Sequence, residues 1–139
     1  MNIKKLHSGF IMPTKGTDRA GAFDIYMPEP GLINGYTQMI NLGFSAEVPS
    51  GHVALLLPRS SAGAKNGVEL NNTCGVIDSD YRGEWKAAMR TKSTLQFSWN
   101  AGDRVLQFII VPIANVELVL VDELDYTERG TGGFGSTGK

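Results

Sequence analysis

Arg104-Val105-Leu106-Gln107-Phe108-Ile109-Ile110-Val111-Pro112-Ile113 reads as a buried strand in which Val105 and Phe108 to Val111 are core candidates. Arg104 and Gln107 stand out in it, since polar groups in a buried strand need partners. Working upstream, Glu84 to Lys92 and Leu95 to Trp99 look like two strands of a hairpin around Lys92-Ser93-Thr94. His52 to Leu57 is a near-continuous apolar run that suits a strand covered on both faces. Thr37 to Val48 alternates at Ile40, Leu42, Phe44 and Ala46 and reads as one strand. Ala22 to Tyr26 and Ile3 to Leu6 are shorter strands, separated by a loop from Pro13 to Gly21, and Pro28 to Gly35 is a turn cluster. Downstream, Asn115 to Val121 gives one more strand. The only helix expected is a short one opened by Ser60 or Ser61 as cap and ended by Gly67. No long amphipathic period occurs, and 17 glycines and 6 prolines punctuate the chain. The class is therefore all-β, a barrel or jelly roll.

The 139 residues fit one domain with its own core, and a net charge of -1 argues against a nonspecific nucleic-acid or membrane-surface binder. An anionic ligand would have to be held by a few placed groups. The single cysteine, Cys74, excludes an internal disulfide and reads as a small buried residue. The start Met-Asn-Ile-Lys-Lys-Leu lacks the apolar run of a signal peptide, and no stretch has the length of a membrane span. A soluble, intracellular protein is expected.

Three stretches carry chemistry. Gly75-Val76-Ile77-Asp78-Ser79-Asp80-Tyr81-Arg82-Gly83 brings two carboxylates, a phenol and a guanidinium onto one short segment, with Asp78 and Asp80 on one face of an extended chain and Ile77, Ser79 and Tyr81 on the other. A carboxylate beside an aromatic ring can hold a water and a flat substrate together, and a polar turn is the plain alternative. Pro58 to Gly67 places Arg59 and two hydroxyls at a helix start, an arrangement suited to anions or to a simple capped turn. From Asp125 the composition turns to glycine, at 130, 132, 133, 135 and 138. Gly133 to Lys139 has the spacing of a phosphate-cradling loop, but without the hydroxyl residue and helix that should follow. A tail with Arg129 and Phe134 can close over a phosphorylated aromatic ligand, or simply be disordered. Asp24 sits among apolar neighbours as a strand-end turn former or a charge aimed at a cation.

In this order the chain resembles the trimeric dUTPases over nearly its whole length. Ala22-Phe23-Asp24-Ile25, Pro58-Arg59-Ser60-Ser61, Gly75 to Gly83, Gly102-Asp103-Arg104-Val105-Leu106-Gln107 and Arg129 to Gly138 look like that family's five motifs. Ala22 stands where the family usually has glycine. The resemblance implies a jelly-roll-like β-barrel over residues 1–127 with a Gly-rich flexible C-terminal arm, 128–139, closing over an active site. It implies a homotrimer with shared active sites that hydrolyses dUTP to dUMP and pyrophosphate with Mg2+, in the cytoplasm or, for a viral source, the host-cell cytoplasm. Neither a nucleic-acid nor a membrane partner is implied.

The family's general base falls on Asp78, which would take a proton from water attacking the α-phosphorus. Arg59, Ser60, Ser61 and Gln107 would contact the phosphate chain and its waters, and Asp24 would hold metal-bound water. Asn72 and the backbone of Gly75 and Ile77 would line the uracil pocket, and Tyr81 would sit under the deoxyribose. Arg129 would grip the γ-phosphate, Phe134 would stack on uracil, and Gly135, Ser136 and Thr137 would add amides and hydroxyls. Two other readings differ in class. A dCTP deaminase of the same fold would need its glutamate base at the position of Ala88, and its Asp-Pro-Gly is replaced by Asp78-Ser79-Asp80. A dUTPase-like regulator that only binds nucleotide would not need every catalytic position filled, as it is here.

Overall fold

In the computed structural model, which describes residues 1–92, 94–133 and 135, twelve strands follow one another: β1 (Ile3–Lys5), β2 (Thr14–Lys15), β3 (Phe23–Tyr26), β4 (Gly31–Ile33), β5 (Gln38–Asn41), β6 (Phe44–Ala46), β7 (His52–Pro58), β8 (Val68–Leu70), β9 (Gly75–Ile77), β10 (Lys86–Thr91), β11 (Phe97–Trp99) and β12 (Arg104–Pro112). They form four sheets, ordered β1-β6, β5-β10-β8, β11-β4 and β2-β3-β12-β7-β9. The all-β, jelly-roll-like architecture read from the sequence is the one observed.

The apolar stretch containing β12 is central to the largest sheet. It pairs antiparallel with β7 from Leu106 opposite Pro58 to Pro112 opposite His52, and with β3 on its other edge. Residues opposite each other in an antiparallel pair share a face, so the register sorts the side chains. Phe108, Leu56 and Ala54 face the core and are fully buried. On the other face lie Asp24, Gln107 and Leu57, then Ile109 beside Leu55, and Val111 beside Val53. Val53, Leu55, Leu57, Ile109 and Val111 are only half-buried. The cover expected on both faces of the His52 to Leu57 run is thus complete on one face within this chain.

Inside, an aromatic row runs through the core. Phe10 packs on Phe44 (ring centroids 5.5 Å apart), Phe44 on Trp85 (5.0 Å), Trp85 edge-on to Phe108 (5.1 Å) and Phe108 on Phe23 (5.2 Å). Such pairs add roughly 0.5–1.5 kcal/mol each beyond their area burial.

Several segments differ from expectation. Thr37 to Val48 is not one strand: β5 and β6 belong to different sheets, and the chain breaks between them at Gly43, whose φ is +76°. A Cβ there would lie 2.9 Å from the His7 side chain, so glycine serves both the left-handed backbone and the close approach. The apolar pattern continues across the break, which hides it. β10 and β11 do not form a hairpin, because β5 and β8 occupy both edges of β10 while β11 pairs with β4. The β4 strand itself lies inside the Pro28 to Gly35 turn cluster, and β2 inside the Pro13 to Gly21 loop.

Asn115 to Val121 forms no strand. With β3 and β7 on both sides of β12, this continuation pairs with no strand of its own chain among the described residues, and Leu118 and Leu120 are 93% and 99% exposed. Finally, the one helix among the described residues is a π-helical turn, Ser61–Lys65. Ser60 stands at its cap with helical backbone and no side-chain capping bond, so the expected hydroxyl cap is absent. The turn is closed instead by Asn66, whose side-chain amide donates to the Ser61 carbonyl at 2.8 Å.

Candidate active site

β9 delivers the Gly75 to Gly83 stretch to the edge of the large sheet, with Ile77 buried and Asp78 exposed just past the strand end. The extended alternation expected through Tyr81 stops there. The Tyr81 amide donates to the Asp78 carbonyl at 3.2 Å, and Arg82 donates to the Ser79 carbonyl at 2.8 Å, so residues 78–82 fold into a turn. The Tyr81 hydroxyl donates to the Glu84 carbonyl at 3.1 Å, which draws the ring across Gly83. A Cβ on Gly83 would meet the Tyr81 hydroxyl at 2.3 Å, so only glycine lets the ring lie there. The result is a pocket of about 300 Å³ lined by Asn72, Gly75, Val76, Ile77, Asp78 and Tyr81, with Met39, Trp85 and Lys86 completing the wall. A carboxylate, an aromatic ring and the β9 edge face the same space.

The turn between β8 and β9 contains Thr73 at φ 66°, the one non-glycine residue with positive φ among those described. A β-branched residue there is strained, at a cost on the order of 1–2 kcal/mol.

A second cluster forms where β3, β7 and β12 meet. Asp24, 7% exposed, receives Arg59 Nε at Oδ1 (2.8 Å) and an Arg104 terminal nitrogen at Oδ2 (3.2 Å). Arg59 also donates to the Arg104 carbonyl at 3.0 Å. These contacts supply the partners that a buried carboxylate requires. The two arginines border an open pocket of about 530 Å³ shared with Ser61, Asn66, Trp99 and Asp103. Gln107 lies opposite Asp24 in the register, its amide nitrogen donating to the Pro58 carbonyl at 3.2 Å. Ser60 is exposed at the helix start.

Asp24, expected to face a metal through water, is occupied by arginines. A carboxylate offers about four lone-pair sites and two are used, so a water-mediated contact has room. No cluster of three or more His, Cys, Asp or Glu residues exists among the described residues.

The expected residues fall into two groups within one chain. Asn72, Gly75, Ile77, Asp78 and Tyr81 meet in the first pocket, while Arg59 and Ser61 line the second, with Asp24 paired to Arg59 and Gln107 opposite Asp24 in the register. β9 pairs with β7 with Ile77 opposite Ala54 and Gly75 opposite Leu56. Continuing that register sets Asp78 level with Val53 and leaves Arg59 six residues further along, about 20 Å away at strand rise. Arg129 lines neither pocket and donates to the Gly132 carbonyl at 2.9 Å, near exposed Gly135. The positions assigned to Phe134, Ser136 and Thr137 lie outside the described residues. Sequence reasoning missed Met39, Trp85 and Lys86 as pocket walls. It also missed Arg104 as a member of the second cluster, although its polarity in an apolar strand was the signal.

The fold is that of dUTPases of known structure: the dUTPase of Staphylococcus bacteriophage 80alpha, solved with dUPNHPP, superposes with a TM-score of 0.90 over 99% of this chain and 98% of its own at 24% identity. A mutant dUTPase of the S. aureus phage phi11, whose structure concerns a structural Mg(II) ion, superposes with a TM-score of 0.80 over 90% of this chain and 98% of its own at 22% identity. The dUTPase family model matches residues 8–138, and the chain is 39% identical over 140 residues to the deoxyuridine 5'-triphosphate nucleotidohydrolase of Nautilia profundicola, covering 100% of this chain and 99% of that one. This chain belongs to the dUTPase family.

Proposed function

We propose that the protein is a dUTP diphosphatase: it hydrolyses dUTP to dUMP and pyrophosphate by water attack on the α-phosphorus. The observation that carries this reading is the pocket in which exposed Asp78 shares a wall with Tyr81 and the backbone of Gly75 and Ile77. Asp78 accepts the proton of the attacking water. Asn72 and the backbone of Gly75 and Ile77 read the uracil edge, and a base with the wrong edge leaves those groups unpaired. Phe134 stacks on the ring. Arg59, Ser60, Ser61, Gln107 and, from the arm, Arg129, Gly135, Ser136 and Thr137 meet the phosphates, whose roughly four negative charges call for aimed donors and cations more than for a strong nucleophile. Asp24 would hold Mg2+ through a water, and the ion would supply Lewis-acid neutralisation of the phosphate oxygens. Incubation with Mg2+ and each of dUTP, dCTP, dTTP and UTP, following pyrophosphate, tests the reading. Release from dUTP alone is expected, and ammonia from dCTP would replace it with deamination.

Tyr81→Ala should narrow the preference for dUTP over UTP, because the ring takes the volume that a 2'-hydroxyl needs. The ratio of kcat/KM for the two nucleotides measures it, and an unchanged ratio would remove Tyr81 as the discriminator.

The site is shared between copies in a homotrimer. Three features support this: the separation of Asp78 from Arg59 in one chain, the half-buried apolar face of Val53, Leu55, Leu57, Ile109 and Val111, and the exposed apolar stretch from Ile113 to Leu124. Residues 1–127 make the barrel and 128–139 an arm that closes over a site, and closure expels water from it. Light scattering should give about three times the 15.0 kDa of one chain; a monomer at working concentration would contradict the assembly. No helix among the described residues is long and apolar enough to cross a membrane. The reaction is assigned by this reading to the cytoplasm, of the host cell if the chain is viral.

A further inference from the structure

We propose that Glu84 is a positioning residue for sugar selection: its carboxylate fastens it to the break between β5 and β6, and its carbonyl holds the Tyr81 ring at the pocket wall. This rests on the reading of Tyr81 as the group that excludes a 2'-hydroxyl. The Gly43 amide donates to Glu84 Oε1 at 3.0 Å, and the Tyr81 hydroxyl donates to the Glu84 carbonyl at 3.1 Å. One residue therefore links the chain break to the ring.

Each bond answers a need of the backbone. β5 pairs with β10 as far as Asn41 opposite Lys86. Beyond that point the Leu42 amide donates to the Trp85 carbonyl at 3.0 Å, and the Trp85 amide donates to the Phe44 carbonyl at 2.9 Å. Gly43, between them, is buried, and its amide goes to the Glu84 side chain. A buried backbone donor stripped of its acceptor is costly, so this contact holds Glu84 firmly. At the other end, glycine at 83 is what lets the ring lie there, since a Cβ would meet the Tyr81 hydroxyl at 2.3 Å, but glycine also leaves the chain free to turn. The anchored Glu84 removes that freedom. Its carboxylate makes no ion pair among the described residues, so charge pairing does not account for it. Tyr81 lines the same pocket as Asp78, and a ring released from the carbonyl opens volume there for a ribonucleotide's extra hydroxyl.

Steady-state kcat/KM of the full chain for dUTP and for UTP with Mg2+, together with Tm, tests this. Glu84→Ala should narrow the dUTP-to-UTP ratio about three- to ten-fold, the scale of one hydrogen bond. Glu84→Gln keeps an oxygen for the Gly43 amide and should hold the ratio within about two-fold of wild type. In a Tyr81→Ala chain, whose ratio is already narrowed, adding Glu84→Ala should narrow it no further. A purely structural role for Glu84 would lower both nucleotides together, with a lower Tm and the ratio unmoved, and that result would overturn the proposal. Equal losses of ratio in Glu84→Ala and Glu84→Gln would also overturn it, as would full additivity with Tyr81→Ala. If Glu84→Ala does not fold, Glu84→Asp, one methylene short of the Gly43 amide, takes its place and is read in the same way. A Tyr81→Ala chain with an unaltered ratio would instead refute the reading of Tyr81 on which the inference stands, and a wild-type chain inert toward dUTP would refute the nucleotide reading itself.

Discussion

Asp78→Asn is expected to bind dUTP with near wild-type affinity and to turn it over about 10²- to 10⁴-fold more slowly, the usual contribution of a general base. The amide keeps the shape of the carboxylate but cannot accept the proton of the attacking water. Asp78 is exposed past the end of β9, and its side chain makes no ion pair among the described residues. The substitution should therefore leave the fold intact, and an unchanged Tm is part of the expectation. Affinity by calorimetry and turnover by pyrophosphate release separate the two effects. Turnover within about three-fold of wild type, far below any such contribution, would remove Asp78 as the base.

Arg59→Gln should lower kcat/KM by about 10²- to 10³-fold, the range found when one donor to a developing oxyanion is removed. Its Nε holds Asp24 at 2.8 Å and its terminal nitrogen holds the Arg104 carbonyl at 3.0 Å, so the change removes the proposed phosphate ligand and loosens its neighbour. The fold should survive, because Arg104 still pairs with Asp24 at 3.2 Å. A Tm lower by a few degrees is expected, corresponding to about 1 kcal/mol in a domain of this size. A large loss of Tm without loss of kcat/KM at lower temperature would make Arg59 structural.

Much of this was legible in the chain itself, for physical reasons. Runs of aromatic and β-branched residues such as Phe108 to Val111 announce a buried strand wherever they pair. Asp78, Tyr81 and Gly83 are close neighbours in sequence, so the turn that unites them is local. Partner choice is not local. The alternation of Thr37 to Val48 persists through the break at Gly43, and nothing between Thr91 and Leu95 says that β10 is already paired on both edges. The strand pattern of Asn115 to Val121 states only that the segment can pair, not that a partner lies in the same chain. Arg104 was marked by its polarity, yet its contact with Asp24 joins residues 80 positions apart and follows from the register of β12 on β3.

The central claim is that each site takes its base from one copy and its phosphate ligands from another. The Asp78→Asn and Arg59→Gln chains, each inactive alone, should be refolded together at equal ratio so that subunits exchange. If Asp78 and Arg59 of one site come from neighbouring copies, about a quarter of the sites (one half times one half) will hold both native residues, and pyrophosphate release from dUTP should return to about that fraction of wild type. No recovery, with mixed assemblies demonstrated by mass, would mean that one chain supplies both residues and would contradict the account.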